Sequence, residues 1–406
     1  MTKALIVGGG VAGPTAAIAL QKAGIEPVVY EAYDRGADGI GQNLVLAVNG
    51  YSALLTLGIS HLADGFDIPR YRFHLGNGKQ LAQVPNGAPL PDGTVARAIT
   101  RSDLYATLRD EAINRGVEVN FGKRLVDAKI TDEGVTAVFA DGTTARGDLL
   151  IGADGLHSVT RKIIEPAELT FRYGGLWTTG GYATGISAPS DPGTEFMYLG
   201  KRAFFCHIPD QEGRIWWYAS VTRPKEPTAE ELASFTPDVW RETLYELFAK
   251  DQNSAVDIIK ATEDIWPPRP IQDIPHLPTW HNERMIVIGD ACHATSPSAG
   301  QGVSMAIEDA VELARCLRDI PDVGDAFRRY EEIRRERVER VVDFGRQCGR
   351  ALQVNGRLFR IGRDIFARVA YSERGSKEGQ KEMRWLYEHR IDWDSPVGRA
   401  GAGVGA

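Results

Sequence analysis

Residues 1–31 constrain the fold of this chain more than any other segment. An apolar run over residues 3–7 leads directly into Gly-Gly-Gly-Val-Ala-Gly at residues 8–13, which fits the pattern G-x-G-x-x-G. Apolar residues at helical spacing follow up to Gly24, and a second apolar run ends at Glu31. A strand, a glycine-rich turn, a helix and a second strand in this order predict the βαβ unit of a Rossmann-like domain.

The residue types in this unit suit the binding of a dinucleotide. Gly8 permits a tight turn, Gly10 leaves space for a pyrophosphate, and Gly13 lets the helix lie close to the strand. The N–H groups at the start of the helix can face the phosphates, and the Glu31 carboxylate can accept hydrogen bonds from an adenosine ribose. NAD and FAD share these contacts, so the unit leaves the choice between them open.

The composition limits the classes of protein to which the chain can belong. Its 406 residues are enough for about two or three domains. A net charge of −7, with acidic and basic residues mixed, argues against a nucleic-acid partner. No apolar run reaches membrane-spanning length, and the first strand begins too early for a signal peptide. Four scattered cysteines without C-x-x-C spacing predict neither a metal site nor a disulfide framework, and a cytoplasmic location is expected.

Two later segments repeat the pattern of a buried strand that ends in a glycine and an aspartate. Residues 148–155 end in Gly-Ala-Asp-Gly, where Asp154 can accept hydrogen bonds from a ligand. Residues 285–291 end in Gly-Asp-Ala and are followed by Pro297 and by Gly-Gln-Gly at residues 300–302. Asp290 can bond sugar hydroxyls such as those of a ribityl chain. The helix that follows Gly300 can stabilise the negative charge of a reduced flavin at its N–H groups.

The organisation of the chain predicts an α/β fold. It combines a Rossmann-like dinucleotide-binding domain, an inserted and mostly antiparallel β-sheet, and a helical C-terminal region. Helices are predicted over residues 101–115 and from about 326 to 352. The predicted boundaries are 1–168 for the first part of the dinucleotide-binding domain, 169–275 for the inserted sheet with its helices, 276–350 for the return segment, and 351–406 for the C-terminal helices and a flexible tail.

The three motifs resemble those of a known family, the class A flavoprotein monooxygenases, which include p-hydroxybenzoate hydroxylase, salicylate hydroxylase and the tetracycline-inactivating monooxygenases. The family's fingerprints are G-x-G-x-x-G, an internal D-G, and G-D followed by P-x-x-G-Q-G, and all three occur here in that order. Arg101 matches an arginine that opens a helix and contacts FAD. Residues 330–337 match the family's late Y-E-x-x-R-x-x-R helix. Ser304 departs from the family, because many relatives carry Asn there beside the flavin ring.

The resemblance implies a single-component monooxygenase with non-covalent FAD. It also implies that the Rossmann-like domain is an FAD-binding domain of the glutathione reductase type and that the inserted sheet is the substrate-binding domain. NADPH or NADH reduces the flavin, O2 gives a flavin C4a-hydroperoxide, and an aromatic or polycyclic small molecule is hydroxylated with release of water. No metal is expected. The cofactor-binding residues implied by the motifs are Gly8, Gly10, Val11, Ala12, Gly13, Glu31, Arg101, Leu125, Asp154, Asp290, Pro297, Gly300, Gln301 and Gly302.

The inserted sheet is expected to cover the flavin and to line the substrate pocket. Its aromatic residues suit a planar, hydrophobic substrate, and His207 is a candidate base for deprotonating a phenol. His293 is interpreted as a structural histidine. The aromatic residues predicted to line the pocket are Trp177, Tyr198, Phe205, Trp216 and Tyr218.

Other interpretations remain open for the same sequence. A flavin-dependent epoxidase or oxidase of secondary metabolism could use the same scaffold. A protein of this fold that has lost flavin and binds partners is a non-enzymatic alternative, although every FAD-contacting motif is intact here. The expected partners are O2 and a small aromatic molecule, without nucleic acid or membrane, in a monomer or a homodimer.

Overall fold

The computed structural model describes residues 2–34, 42–62, 65–167, 169–354 and 356–398. The predicted flexible tail beyond residue 398 lies outside the described residues. The strands, numbered along the chain, are β1 (Lys3–Val7), β2 (Glu26–Tyr30), β3 (Asn43–Leu46), β4 (Phe66–Asp67), β5 (Arg70–Leu75), β6 (Gln80–Pro85), β7 (Arg97–Thr100), β8 (Glu118–Asn120), β9 (Leu125–Thr131), β10 (Gly134–Phe139), β11 (Thr144–Gly147), β12 (Leu149–Gly152), β13 (Arg172–Ala183), β14 (Thr194–Leu199), β15 (Ala203–Pro209), β16 (Ile215–Thr222), β17 (Arg269–Asp273) and β18 (Met285–Val287).

The helices follow the same numbering along the chain. They are α1 (Ala12–Lys22), α2 (Val48–Thr56), α3 (Arg101–Asn114), α4 (Val159–Ile164), α5 (Ala229–Ser234), α6 (Pro237–Phe248), α7 (Ala255–Lys260), α8 (Asp290–His293), α9 (Gly302–Asp319), α10 (Val323–Leu352), α11 (Arg357–Ala370), α12 (Glu373–Glu382) and α13 (Arg384–Tyr387). A short 3-10 turn, Pro297–Ala299, lies between α8 and α9. The helices predicted over residues 101–115 and 326–352 correspond to α3 and α10.

A five-stranded parallel sheet, in the order β18-β12-β1-β2-β8, forms the centre of the nucleotide-binding domain. Val7 at the end of β1 pairs with Tyr30 on one side and with Gly152 on the other. Ala16 and Ala17 are fully buried, and such small side chains let α1 pack closely on α9. Because parallel strands end at the same edge of a sheet, the three sequence motifs meet at this edge. The predicted Rossmann-like domain is confirmed.

A seven-stranded sheet, in the order β17-β13-β16-β15-β14-β5-β6, forms the second layer of the structure. Its pairs are antiparallel except for β14 with β5, so the predicted mostly antiparallel sheet is confirmed. β5 and β6 come from residues 70–85, inside the segment 1–168 that was assigned to the first domain. The turn Asn77-Gly78 between them, with Gly78 at φ +78°, is the hairpin signal that identifies these strands.

Side chains of the seven-stranded sheet alternate between two faces. On the helix-covered face, aromatic rings pack against α6, and the ring of Phe205 lies 5.3 Å from that of Phe248. On the inner face, side chains approach β3, β7 and α11 through Val45, Ala98 and Ala367. The helix-covered face carries Trp177, Tyr198, Phe205 and His207, and the inner face carries Met197, Cys206, Trp216 and Tyr218.

This alternation corrects the predicted substrate pocket. Trp177, Tyr198 and Phe205 are 0%, 4% and 0% exposed and belong to the core between the sheet and its helices. Since every second residue of a strand points to the same face, these three side chains point away from the inner face. Of the predicted pocket residues, Trp216 and Tyr218 lie on the inner face.

The chain ends in a group of helices after α10. α11 contacts the inner face through Ala367, and Tyr371 at its end stacks on Phe73 of β5 with ring centroids 4.2 Å apart. Within the described ranges, none of the helices combines the length and the apolar character that a membrane crossing requires.

Replacing Phe205 with alanine tests the assignment of the two faces. We expect Phe205→Ala to lower the free energy of unfolding by about 3–5 kcal/mol, because a fully buried ring is removed from the core. We expect FAD content to be unchanged in the protein that remains folded. Phe366→Ala, at a ring that is 72% exposed, is the matched control and should change little. Urea unfolding measures both; a stable Phe205→Ala protein with reduced FAD content would contradict the assignment.

Candidate active site

The glycine-rich turn lies against the second motif and against α1. Gly8 has φ +112°, and a Cβ there would stand 2.3 Å from the carbonyl oxygen of Ala153. A Cβ on Gly13 would stand 1.9 Å from the carbonyl oxygen of Gly8. Around Gly10, in contrast, the nearest atom to an added Cβ is Tyr105 Cζ at 3.9 Å. Two of these glycines therefore permit close packing, and Gly10 leaves space beside the turn.

Glu31 is held at the carboxyl end of β2, beside this turn. Its Oε2 accepts a hydrogen bond from Gly9 N at 2.6 Å, and its Oε1 accepts one from Tyr33 N at 2.9 Å. The backbone N–H of Lys123 donates to the Glu31 carbonyl at 2.8 Å, and β9 begins two residues later at Leu125. Glu31 and Leu125 thus lie on the same side of the turn, where an adenosine would be bound.

Tyr105 on α3 lies near three charged residues of the predicted cofactor site and was missed in the sequence. Burial raises the pKa of Tyr105, Arg101 opposes this rise, and the carboxylates of Asp290 and Glu31 add to it. The Tyr105 hydroxyl therefore lies within electrostatic reach of all three charged side chains. Tyr105 stands four residues after Arg101 on α3, and this helical spacing is the signal that could have identified it.

The third motif forms a concave segment lined by glycine. Gly289 has φ +60°, and Asp290 follows it as the first residue of α8. Gly300 has φ +61°, and no atom of the described residues lies within 4 Å of an added Cβ there. A Cβ on Gly302 would stand 4.0 Å from Asp290 Oδ1, so this carboxylate faces the start of α9. Pro297 opens the 3-10 turn at the exposed rim of this segment.

Unpartnered polar groups around this segment fit a polar ligand such as FAD. Gln301 Nε2, Ser304 Oγ and Thr295 Oγ1 are buried, and none of them has a hydrogen-bond partner in the part of the chain that the structure describes. α1 and α9 both begin without a side-chain cap, whereas Thr100 caps α3 and Asp322 caps α10. The open N–H groups of α1 suit a pyrophosphate, and those of α9 suit the carbonyl edge of a flavin. The described residues therefore fit the predicted cofactor.

Ser304, which departs from the family pattern, has a local packing reason in this structure. A Cβ on Gly50 of α2 would stand 2.5 Å from Ser304 Oγ. α2 and α9 therefore approach each other more closely here than a larger side chain at either position would allow.

Asp154, predicted to contact the cofactor, also bonds the backbone of its own segment, and its contact with FAD stays a prediction. Its Oδ2 accepts hydrogen bonds from Val159 N at 2.9 Å and from Thr160 N at 3.0 Å, so it holds the first turn of α4. Arg161 on the same helix is buried and donates to the carbonyl of Ala291 at 2.7 Å. The second motif therefore supports the third motif through α4, and Asp154 acts on the backbone of its own segment.

A buried carboxylate, Asp309 on α9, ties the third motif to the core. It accepts hydrogen bonds from Gly289 N at 2.9 Å, from His293 Nε2 at 2.5 Å and from Arg334 Nε at 2.8 Å. Burial opposes its ionisation, but His293 and Arg334 hold the pKa of Asp309 well below its usual range. His293 thus fixes the segment around Asp290, in agreement with the interpretation of this histidine as structural.

Glu308, the neighbour of Asp309, extends this network to the start of α9. Arg334 Nη1 donates to it at 2.7 Å, and Arg337 donates to both of its oxygens at 2.8 and 2.9 Å. Asn49 Nδ2 donates to Glu308 at 2.8 Å and to Gln301 Oε1 at 3.0 Å. The late arginine motif on α10 therefore positions Gln301 and the N-terminus of α9 through this carboxylate.

The inner face of the seven-stranded sheet carries a carboxyl that was missed in the sequence, Glu195. Its Oε1 accepts hydrogen bonds from Tyr218 Oη at 2.9 Å and from Cys206 Sγ at 3.0 Å. Burial raises the pKa of Glu195, and the two hydrogen bonds oppose this rise. Burial also raises the pKa of Tyr218 and of Cys206 well above their usual values, so both keep their protons. The signal was a glutamate at an inward position of an otherwise apolar strand.

His207 is excluded from the inner face by its position in β15. Its ring stacks on Phe196 with centroids 4.7 Å apart, and its Nε2 lies 3.1 Å from the carbonyl oxygen of Pro189. Burial lowers the pKa of His207 to about 4. This corrects the prediction of His207 as a base for the substrate, because the ring is enclosed in the helix-covered core.

Removing the Arg334 side-chain charge should destabilise the whole domain. We expect Arg334→Met to lower the free energy of unfolding by about 3–5 kcal/mol, because Asp309 and Glu308 then remain buried without their shared cation. The control is Arg328→Met on the same helix, at an exposed ion pair with Asp325, where a change below about 1 kcal/mol is expected. Equal effects of the two substitutions in urea unfolding would show that the buried network contributes no more than a surface pair.

The stabilisation by Glu308 should depend on pH in a defined direction. Burial alone would raise its pKa, but Arg334 and Arg337 lower it from 4.5 to about 2. This stabilisation is fully present above pH 4.5 and is lost as the pH falls through about 2. We expect wild type to be more stable than Glu308→Gln by about 3 kcal/mol at pH 7, with a gap that narrows below pH 4.5. If urea unfolding shows the same difference in free energy of unfolding between the two proteins at pH 7 and at pH 3, this prediction is contradicted.

The comparisons with known proteins agree with this site. Residues 1–345 match the family described as FAD binding domain. The FAD-dependent urate hydroxylase of Klebsiella pneumoniae is 32% identical over 353 residues, covering 84% of this chain and 88% of that protein. The 3-amino-4-hydroxybenzoate 2-monooxygenase PtnB3 of Streptomyces platensis is 31% identical over 414 residues, covering 97% and 96%.

A similar solved structure is that of Klebsiella pneumoniae HpxO complexed with FAD and uric acid. It superimposes with a TM-score of 0.83 and 27% identity over 95% of this chain and 97% of that one. A salicylate hydroxylase substrate complex shares the fold, with a TM-score of 0.74 and 22% identity. These relatives confirm the family expected from the motifs. This chain belongs to the FAD-binding-domain family and is an FAD-dependent monooxygenase.

Proposed function

We propose that this enzyme hydroxylates a small aromatic ring, held between the inner face of the seven-stranded sheet and the glycine-lined segment from Asp290 to Gly302. The observation that carries this proposal is the pairing of a segment that fits FAD with a partly exposed inner face. Met197 and Tyr218 are half-buried on this face, and the half-buried Val45 and Leu352 pack against the same apolar cluster. Apolar and aromatic side chains of this kind suit a planar ring.

In this proposal, each part of FAD is bound by a different group of residues. The turn from Gly8 to Gly13 and the uncapped start of α1 take the pyrophosphate, and Glu31 takes the adenosine ribose. Asp290 takes the ribityl chain, with Arg101 nearby. Gln301 and the start of α9 take the carbonyl edge of the flavin. When bound, FAD supplies the redox chemistry, accepting a hydride from NADPH or NADH and activating O2.

The chain's own side chains supply orientation and exclusion of water. Trp216 is 1% exposed, and its ring meets that of Phe66 edge-on at 5.0 Å. Its Nε1 donates to Asp210 at 3.0 Å, which fixes the indole at one end of the inner face. A closed aromatic wall of this kind keeps water from the reacting atoms.

The remaining expectations from the sequence are part of the same proposal. We propose that the protein acts in the cytoplasm, as a monomer or a homodimer, and that O2 is its second substrate. The zeaxanthin epoxidase of Solanum lycopersicum is 29% identical, but this chain covers 52% of that protein. The polar group of Glu195 and Tyr218 on the inner face favours a polar aromatic substrate over a long apolar alkene, so hydroxylation is preferred to epoxidation.

Anaerobic flavin reduction tests this function. NADH or NADPH is mixed with the purified holoenzyme, with and without 3-amino-4-hydroxybenzoate, urate, salicylate or unsubstituted phenols. We expect at least one aromatic compound to accelerate flavin bleaching by about tenfold or more, because binding of the correct substrate drives closure of the site. With isotopically labelled O2, we expect one labelled oxygen atom in the product. Reduction of the flavin by the aromatic compound itself, without a nicotinamide, would instead establish an oxidase.

A further inference from the structure

Glu195 is a buried carboxyl on the inner face of the seven-stranded sheet. It is 2% exposed, and both of its hydrogen bonds, from Tyr218 and from Cys206, end on Oε1. Among the described residues, none donates a hydrogen bond to Oε2, and Glu195 forms no ion pair. A carboxylate of this kind is costly to bury, and the hydrogen bonds from Tyr218 and Cys206 offset part of that cost.

The hydrogen bond to Glu195 determines whether Tyr218 Oη can donate to a ligand or accept from it. A phenol has one proton, and that proton is donated to Glu195 Oε1 at an oxygen–oxygen distance of 2.9 Å. The remaining capacity of Tyr218 Oη is to accept a hydrogen bond. The Tyr218 side chain is half-buried on the inner face, so it borders the space in which the substrate is proposed to lie.

We propose that Glu195 and Tyr218 together form an acceptor site that recognises a hydrogen-bond donor attached directly to the substrate ring. The donor is a phenolic O–H, an aromatic amine N–H or a ring N–H. This inference rests on the proposed function and narrows its substrate class. Glu195 acts as a positioning residue through Tyr218, which contacts the substrate.

The same geometry predicts which substrate groups are disfavoured beside Tyr218. A ring carboxylate pointing at Tyr218 would meet an acceptor and, behind it, the carboxyl of Glu195, so neither a hydrogen bond nor charge attraction is available. An O-methylated ring has no proton to donate and would leave Tyr218 Oη without a hydrogen-bond donor. A site built to bond a donor discriminates strongly against the analogue that lacks it.

Pairs of ligands that differ in the donor alone test this proposal. The affinities of catechol and veratrole, and of aniline and dimethylaniline, are measured by the change that each compound causes in the flavin spectrum of the holoenzyme. We expect wild type to bind the donor compound of at least one pair about 10- to 100-fold more tightly than its methylated partner. The measured quantity is the affinity ratio, which is the dissociation constant of the methylated compound divided by that of the donor compound. In Tyr218→Phe and in Glu195→Gln, we expect this affinity ratio to fall by about tenfold.

Tyr182→Phe is the matched control, because it removes a hydroxyl from the same face at a ring packed on Trp216 and Trp266. We expect it to keep the wild-type ratio. Comparing ratios between variants cancels the size of the added methyl groups. The proposal is overturned if wild type binds both members of each pair equally or binds none of them, if both Tyr218→Phe and Glu195→Gln keep the ratio, or if Tyr182→Phe loses it as well.

FAD content and flavin reduction by NADPH without any ligand separate this inference from the proposed function. A variant that keeps its FAD and its basal rate of reduction is folded, so its affinity ratio reports the acceptor site. If wild type contains FAD and NADPH reduces it, but no donor preference is found, the acceptor site is wrong while the hydroxylase function stands. If NADPH does not reduce the flavin, the hydroxylase function itself fails.

Discussion

The Arg334 guanidinium, fully buried between Asp309 and Glu308, is the interaction on which the cofactor site depends. Through hydrogen bonds, Asp309 and Glu308 connect Arg334 to two different parts of the site. Asp309 holds the backbone of Gly289 and the ring of His293, while Glu308 reaches Gln301 through Asn49. A buried charge that loses its partner is penalised heavily, so breaking any one of these contacts is costly. Segments distant in sequence are thereby held in one geometry.

The parts of this structure that follow local rules could be predicted from the sequence. The βαβ unit, the long helix α10 and the strands after residue 169 depend on periodicity and on glycine positions, which are visible without the fold. The three motifs were assigned to one ligand because parallel strands end at one edge. Glu31 and Asp290 lie at that edge, and both act electrostatically on Tyr105, which lies near them.

The parts that depend on register could not be predicted in the same way. Alternation puts half of the aromatic residues in β13–β16 on each face, but the sequence does not say which half faces the cofactor. Trp177, Tyr198 and Phe205 were therefore assigned to the wrong face, and His207 with them. Glu195 was missed because its partners Cys206 and Tyr218 are on two other strands. The hydrogen bonds from α4 to Asp154 were not predicted, because they form only once the turn is folded.

The seven-stranded sheet takes β5 and β6 from residues 70–85 and its other strands from residues 172–273. β5 also lies beside β14, the strand that carries Glu195, and Glu195 pairs with Tyr71 across that boundary. Transplanting the inserted segment alone into a related enzyme would separate these two strands and expose an unpaired edge. A chimera that exchanges substrate preference between relatives therefore has to carry residues 70–85 together with residues 172–273, because the sheet that bears this site is built from both segments.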